Sequence, residues 1–232
     1  MRTKGLLSII MLLGLLFTVQ AADHVKGNGT LTTKKIKIDD YNAIKIDGVI
    51  DFNYEQSNAE PYIEITVDEN LHEYVNINIK DRELSVGFKG AKVDHYTKFI
   101  VKTNSKWLKE VKAAGNANFI INSSMTGEEV KIKANSNCLV QLKELIKLVK
   151  LELNDSGSAN MVVNDLQVDK LECSINGSGT INLKKGNAKE GEYSITSSGE
   201  IMAFGVDVPE LSCKMTGNGT MEVHPTNNLK AN

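Results

Sequence analysis

The chain has 232 residues, with 27 Lys and Arg, 29 Asp and Glu, and a formal net charge of −2 at pH 7. This length suits one elongated domain or two small ones. The mild charge, without any basic block, argues against nucleic acid as a partner. The odd number of cysteines, three, argues against a complete disulfide framework in an exported protein and favours buried free thiols.

The N-terminus has the pattern of a secretory leader. Arg2 and Lys4 precede an uncharged apolar run from Leu6 to Val19, and Ala21 follows. This pattern predicts a leader over residues 1–21 that is cleaved after Ala21, with Ala22 as the alternative. The run of about 14 residues is shorter than the roughly 20 needed to cross a bilayer, which favours a cleaved leader over a retained anchor.

Export follows from this assignment. Cleavage removes two basic residues and no acidic one, so 25 basic and 29 acidic residues remain and the net charge becomes −4. We expect the protein in the periplasm, at the outer-membrane surface or outside the cell. No later segment is predicted to span a membrane as a helix.

Residues 22–33 form a short N-terminal segment, and residues 34–106 show period-two alternation of apolar residues. Ile63, Ile65 and Val67 are one such run. This alternation, interrupted by turn residues, predicts half-buried strands. Residues 68–75 are the one place in this region where a short helical turn is predicted.

A triplet of Gly, Asn or Ser residues returns through the second half of the chain, and its first residues are separated by 20, 22, 20, 20 and 20 positions. The copies are Gly115-Asn116-Ala117, Asn135-Ser136-Asn137, Gly157-Ser158-Ala159, Gly177-Ser178-Gly179, Ser197-Ser198-Gly199 and Gly217-Asn218-Gly219. This period predicts an all-β, stacked solenoid with rungs of about 20 residues, in which each rung packs against its neighbours. We assign residues 107–223 to these rungs and residues 224–232 to a polar C-terminal tail.

Alignment of the triplets predicts files of apolar side chains along the solenoid, with Ile181, Ile201 and Met221 in one file. The rung at 135 is out of step by one residue, which predicts a bulge there. The triplets are placed at a corner, where Gly permits positive φ and Asn is the side chain that tolerates it best. Cys173 and Cys213 are two rungs apart, about 9–10 Å at strand spacing, which is too far for a disulfide.

The sequence resembles the "putative auto-transporter adhesin head domain", or GIN domain, found in exported proteins of Bacteroidota. The resemblance covers residues 34–223. It rests on the strand entry at 41–48, on residues 63–71 and above all on the tandem copies 175–181, 195–201 and 215–221. It implies a right-handed parallel β-helix-like fold and no established activity. The triplet at 135–137 departs from the pattern because it lacks glycine, and no autotransporter barrel is recognisable in the sequence.

The middle residues of the triplets form the first candidate binding row. These are Asn116, Ser136, Ser158, Ser178, Ser198 and Asn218. A glycan or another surface protein is the expected partner. The competing interpretation is a ladder that only stabilises the corners, because these residue types favour turns.

Acidic residues raise the alternative of a glycan-cleaving enzyme on a β-helix scaffold. The candidates are Asp155, Asp165, Asp169, Glu172, Glu192 and Glu200. Glu172 and Glu192 share one file, where neighbouring like charges are expected to raise one pKa. The competing interpretation is a solvated outer face, and the acids do not gather in a single file.

The histidines are scattered, so neither a metal site nor a cofactor is predicted. They are His24, His72, His95 and His224. The leading hypothesis is a non-catalytic, exported binding module of the cell envelope. The alternatives are the glycan-cleaving enzyme and a structural envelope component that assembles end to end.

Overall fold

The computed structural model describes residues 23–224 and 228–231. The predicted leader and its cleavage site after Ala21 lie outside these residues. The N-terminal elements are β1 (Asp23–Lys26), β2 (Leu31–Lys37), β3 (Ala43–Asp47), β4 (Asp51–Gln56), β5 (Tyr62–Asp68), a 3-10 helix (Glu69–Tyr74), β6 (Val75–Lys80), β7 (Glu83–Phe88), β8 (Ala91–His95) and β9 (Ile100–Ser105). The 3-10 helix confirms the predicted helical turn.

The remaining strands build the stacked part of the molecule. They are β10 (Glu110–Ala114), β11 (Asn118–Ile121), β12 (Met125–Ala134), β13 (Leu139–Asp155), β14 (Asn160–Ile175), β15 (Thr180–Leu183), β16 (Gly186–Ile195), β17 (Glu200–Ala203), β18 (Val206–Asp207), β19 (Glu210–Met215), β20 (Thr220–Val223) and β21 (Asn228–Ala231). Parallel pairing of these strands makes a β-solenoid of about six turns with rungs of roughly 21 residues. The predicted all-β stacked architecture is therefore confirmed.

The solenoid has three faces. The first face consists of β3, β10, the C-terminal parts of β12, β13, β14 and β16, then β19 and β21. The second face consists of β4, β11, the N-terminal parts of β13 and β14, then β15, β17 and β20. The third face consists of the start of β12, the middle of β13 and β14, the start of β16, and β18.

Apolar side chains form files inside the solenoid, as predicted. Ile181 pairs with Ile201, which pairs with Met221 in the next rung. Ile181 and Ile201 are fully buried, and Met221, near the C-terminal end, is half-buried. A rung alone buries little apolar surface, so this core exists only because successive rungs stack in register.

An antiparallel cap closes the N-terminal end. β5 pairs antiparallel with β2 and with β9, and β6 pairs antiparallel with β7. The cap continues into the solenoid because β9 pairs with β4 and β7 pairs with β3, both in parallel. β3 and β4 already form a rung, paired to β10 and β11, so the cap is an insertion of residues 57–109 after the first rung.

A buried carboxylate anchors the N-terminal segment to this cap. Asp68 is fully buried and accepts hydrogen bonds from the backbone N–H groups of Gly29 and Thr97, each at 2.7 Å, and from the Thr97 hydroxyl at 2.9 Å. Burial acts to raise the pKa of Asp68, but these hydrogen bonds outweigh it and lower the pKa. Asp68 therefore holds the segment before β2 as a charged group.

The predicted C-terminal tail contributes a strand. Residues 228–231 form β21, which pairs in parallel with β19 and extends the first face. Met215 is 44% exposed and Leu229 is 52% exposed at this end. The C-terminal rungs therefore present apolar side chains to solvent, in contrast to the covered N-terminal end.

The cysteines are free, as predicted. Cys173 and Cys213 are separated in register by Tyr193, which pairs with both. Cys138 is the third free thiol, and burial raises the pKa of all three thiols. They therefore fill space in and near the core as neutral side chains.

The predicted bulge at the rung of Asn135 is wrong. Ser136, and not Asn135, occupies the corner position equivalent to Gly157, since the N–H of Ser158 donates to the Ser136 carbonyl as that of Ser178 donates to the Gly157 carbonyl. With this one-residue change the rung is regular, and Val140 rather than Leu139 points into the core. The register shift between β13 and β14 lies instead after Leu142.

Close approach of neighbouring rungs explains most of the corner glycines. Positive φ occurs at Gly115 (73°), Ser136 (67°) and Gly217 (151°), but Gly157 and Gly177 do not adopt it. A Cβ added at Gly157 would lie 2.2 Å from the Ser136 backbone nitrogen, and one at Gly177 would lie 1.9 Å from the Gly157 carbonyl oxygen. Positive φ accounts for only some of the triplet glycines, and backbone contact between rungs is the stronger constraint.

We expect Gly177→Ala to destabilise the fold by about 2–3 kcal/mol, because the new methyl group must push two rungs apart. Gly87→Ala is the matched control, since a Cβ there meets nothing within 4 Å. It is expected to change the free energy of unfolding by less than about 1 kcal/mol. Urea denaturation measures both variants, and equal midpoints would contradict the steric explanation.

Candidate functional site

The predicted polar row lies exposed at the corner between the first and second faces. Its side chains at Asn116, Ser136, Ser158, Ser178, Ser198 and Asn218 are all exposed. The hydroxyl oxygens of Ser158 and Ser178 are 2.9 Å apart, so these two serines hydrogen-bond to each other. Ser136 occupies the position equivalent to Gly157. Asn137 is therefore the residue of this rung that is equivalent to Ser158 in the row. The hydrogen bond between rungs supports the corner-stabilising interpretation, and a binding role for the row stays a hypothesis.

A ladder of ion pairs covers the outside of the first face. In its N-terminal part Lys112 lies 2.7 Å from Glu83 and 3.3 Å from Glu110, and Lys133 lies 2.7 Å from Glu110. Exposed pairs contribute little one at a time, about 0.2–1 kcal/mol, but they gain weight when they form a network. The face is therefore densely charged, with its charges largely compensated within the chain.

Glu152 is the centre of the C-terminal part of the ladder. Its side chain is only 9% exposed, and it accepts from the ammonium groups of Lys131 and Lys150. Burial acts to raise the pKa of Glu152, but hydrogen bonds from these two lysines outweigh it and lower the pKa to about 2. Glu152 is thus a fixed negative charge and not a proton donor near neutral pH.

The structure confirms that Glu172 and Glu192 share one file, but the predicted rise in pKa is wrong for Glu172. Lys150 lies 3.0 Å from Glu172, and Lys170 lies 2.8 Å from both Glu172 and Glu192. Burial acts to raise the pKa of Glu172, but hydrogen bonds from Lys170 and Lys150 lower it. The lysines of the neighbouring file therefore determine that the pKa of Glu172 is lowered and not raised.

The remaining candidate acids do not converge on one place. Asp155 points into the core, where its Oδ1 accepts from the N–H of Gly157 at 2.9 Å. Asp165 pairs with Lys185 at 2.8 Å, and Asp169 pairs with Lys189 at 2.7 Å. Glu200 lies on the second face, in register with Thr180. The paired carboxylates of a glycosidase are not assembled by these residues.

Two open hollows lie on the first face. One of about 680 Å³ lies beside the hairpin of β6 and β7, with Ala43 and Lys45 among its lining residues. The other, of about 630 Å³, lies near the C-terminal end and is lined by Glu190, Glu192 and Glu210. Both are shallow depressions in a charged surface.

The histidines stay apart. His24 pairs with Asp94 at 2.8 Å, His72 contacts Thr32 at 3.0 Å, and the ring of His224 lies 5.7 Å from that of Phe204. Across residues 23–224 and 228–231, no group of His, Cys, Asp and Glu side chains could hold a metal ion.

The second face carries a different surface, which the sequence reasoning missed. Its outward side chains on β11, β13, β14 and β15 are uncharged amides, hydroxyls and aliphatics. They are Asn118, Ile120, Leu139, Gln141, Asn160, Val162, Thr180 and Asn182. Charged residues border them: Asp51 and Glu200 in the same file, and Lys143 and Lys184 at the next corner. This surface could have been found from the sequence, because the uncharged residues stand at the outward positions of the aligned rungs.

Two exposed aromatic side chains lie at the corner between the second and third faces, one after β9 of the cap and one after β17. Trp107 is 45% exposed and lines a hollow of about 200 Å³ with Gln56, Asn58 and Thr126. Phe204 directly follows β17 and is 64% exposed. Tryptophan is enriched at binding surfaces because it joins a large apolar area to a polar N–H group.

The geometry defines a capped β-solenoid with one densely charged outer face and a second face that is uncharged in its middle, and comparisons place it in a family. Residues 40–232 match the family described as "Putative auto-transporter adhesin, head GIN domain". The chain therefore belongs to the GIN-domain family. No match was found among the curated proteins.

Solved structures agree with this assignment. A "putative adhesin" from Parabacteroides merdae ATCC 43184 is 76% identical, and one from Parabacteroides distasonis ATCC 8503 is 68% identical; each alignment covers 90% of this chain and 88% of the other, with a TM-score of 0.89. A "putative lipid binding protein" from P. distasonis ATCC 8503 is 34% identical over 87% of this chain and 85% of that one, with a TM-score of 0.80. In the part of the chain that the structure describes, no helix is long and apolar enough to cross a membrane.

The ion-pair ladder makes stability depend on acid pH. Glu152 has a lowered pKa in the folded state, so its contribution is complete above the unfolded pKa of about 4.3 and is lost as the pH falls towards about 2. We expect Glu152→Gln to lower the free energy of unfolding at pH 7 by about 1–2 kcal/mol and to make the loss between pH about 4.5 and 2 shallower. Urea denaturation across this pH range measures both effects.

Glu222→Gln is the control, because Glu222 is exposed on the second face, away from the ladder. It is expected to leave the pH profile close to that of the unaltered protein. A profile for Glu152→Gln as steep as the control profile would contradict the role given to Glu152.

Proposed function

We propose that the protein is a non-catalytic, exported binding module of the adhesin type, located in the periplasm, at the outer-membrane surface or outside the cell. Its membership of the GIN-domain family and its likeness to proteins described as adhesins support this proposal. The ligand belongs to the surface of a cell or its surroundings, as a glycan or another surface protein.

One structural observation carries the proposal. Many outward acids and bases of the first face neutralise one another in ion pairs between rungs, as Glu172 and Lys150 do. A hydrolytic site needs acids with distinct protonation states around one cleft. A long repetitive exterior with compensated charges is instead suited to binding along an extended surface.

A structural component that assembles end to end is the second candidate. The exposure of Met215 and Leu229 on the last rungs favours it, because apolar side chains at an open solenoid end can pack on another chain. Sedimentation over a range of protein concentrations tests this candidate. Mass that rises with concentration supports assembly.

We expect the purified protein to bind members of a glycan array or isolated envelope proteins without turnover. Heat-unfolded protein is the control, since binding by the folded face is lost on unfolding. Products are assayed on every glycan that binds. Cleavage of a bound glycan would establish the enzymatic alternative and overturn the non-catalytic assignment.

We also expect the protein recovered from the envelope or medium of producing cells to begin at Ala22. The uncharged run up to Val19 and the small residue Ala21 support cleavage at this bond. N-terminal sequencing measures the outcome. Mature protein that retains residues 1–21 would contradict the leader assignment.

A further inference from the structure

The second face is a candidate ligand site because its middle strands carry no charged outward side chain, whereas the surrounding surface is charged. Its neutral region continues over four neighbouring strands, from Asn118 on β11 to Asn182 on β15. At strand spacing these strands span about 14 Å along the solenoid axis. The first face, in contrast, carries the ion-pair ladder. Charge complementarity therefore selects a neutral ligand for the second face.

Several polar groups on this face are available to a ligand. Gln141 and Asn160 make no side-chain hydrogen bond with any residue in the described ranges, and Asn160 is exposed. Towards the N-terminal end, by contrast, the Asn118 amide donates to Asp51 at 2.6 Å. An amide offers both a donor and an acceptor, which matches a hydroxyl group that also does both.

Aliphatic side chains alternate with the amides. Leu139 lies in register with Asn160, and Val162 lies in register with Gln141 and Asn182. A neutral sugar has the same division, because its hydroxyl groups are polar and its C–H faces are apolar. A flat strip of alternating amides and aliphatics can therefore contact successive sugar units along one chain.

The two exposed aromatic rings lie beyond this strip in both axial directions, at the corner between the second and third faces. Trp107 follows β9, whose neighbour in the second face is β4, and Phe204 follows β17. β4 and β17 are five strand spacings apart, about 24 Å. An exposed ring supplies a platform for the C–H face of a sugar. A polymer that lies along the axis can reach both rings.

We propose that the second face, from Trp107 to Phe204, binds a neutral polysaccharide that runs parallel to the solenoid axis. This inference rests on the proposed function, because it names the ligand class and the surface of that binding module. The polar corner row borders this strip, since Asn118 and Asn160 directly follow the triplets, and it lies on the side away from the two rings.

The test measures binding of the full chain to immobilised mannan, dextran and laminarin, with heparin and polygalacturonate as anionic comparators. Gln141→Glu combined with Asn160→Asp places two negative charges on the strip with almost no change in shape. We expect about tenfold weaker binding or more to the neutral polysaccharide that binds the unaltered protein, since two amide donors are lost. Trp107→Ala is expected to weaken the same binding.

Gln167→Glu combined with Asn187→Asp is the matched control. It makes the same two chemical changes at exposed positions of the third face, where these residues pair in register. We expect its affinity to equal that of the unaltered protein. Thermal unfolding followed by circular dichroism shows whether each variant is folded, and Trp107→Ala provides a second test of the site that adds no charge.

The outcomes separate this inference from the proposed function. Loss of neutral polysaccharide binding in the second-face variants but not in the control supports it. Binding that is unchanged in both second-face variants, or binding to the anionic comparators alone, overturns it while the protein remains a binding module. Binding to envelope proteins and to no polysaccharide overturns the ligand class. Binding to nothing tested overturns the proposed function as well.

Discussion

Hydrogen bonding between the backbones of successive rungs is the interaction on which this structure depends. Each rung donates to and accepts from its neighbours, so a side chain must lie directly above the equivalent side chain of the previous rung. The spacing between rungs is also the closest approach that the corners permit, as the contact between Gly177 and the Gly157 carbonyl shows. Core, corners and outer faces all follow from this one constraint.

The ion-pair ladder is a direct consequence. In-register stacking places Lys150 above Lys170 and Glu152 above Glu172, which brings like charges to strand spacing. The repulsion is relieved because the two files are adjacent, so that Lys150 reaches Glu172 diagonally as well as Glu152 in its own strand. Charge order on the first face is therefore a requirement of stacking, which reduces its value as a sign of catalysis.

The sequence predicts the repetitive part of the fold well because period and alternation are local signals. The file of Ile181, Ile201 and Met221 could be read from spacing alone. The first rung, β3 and β4, could not, because the cap of residues 57–109 separates it from its neighbour. The correct alignment of the triplet at 135–137, which is one residue later, was hidden because Ser136 and not a glycine adopts the φ of 67° there.

Site properties were harder to predict than the fold, since they depend on neighbouring files. The acids Glu172 and Glu192 could be aligned from sequence, but the sign of the pKa change at Glu172 required the positions of Lys150 and Lys170. The uncharged middle of the second face was likewise present in the outward positions of the rungs that begin at Asn118, Leu139, Asn160 and Thr180. This surface can be recognised only when each outward residue is assigned to one of the three faces. The positions of the corners determine that assignment.

The two hollows of the first face are open and shallow, so repetition is a physical route to useful affinity for the described part of this solenoid. Each outward amide of the second face can contribute only a modest hydrogen bond, of about 1 kcal/mol. Amides recur at alternate strands of a file, as Gln141 and Asn182 do, and a polymer held by one amide meets the next at high effective concentration. Affinity then grows with the number of rungs engaged. A regular, rigid face and an extended repetitive ligand are thus matched in form, whereas a small compact ligand would use one rung and bind weakly.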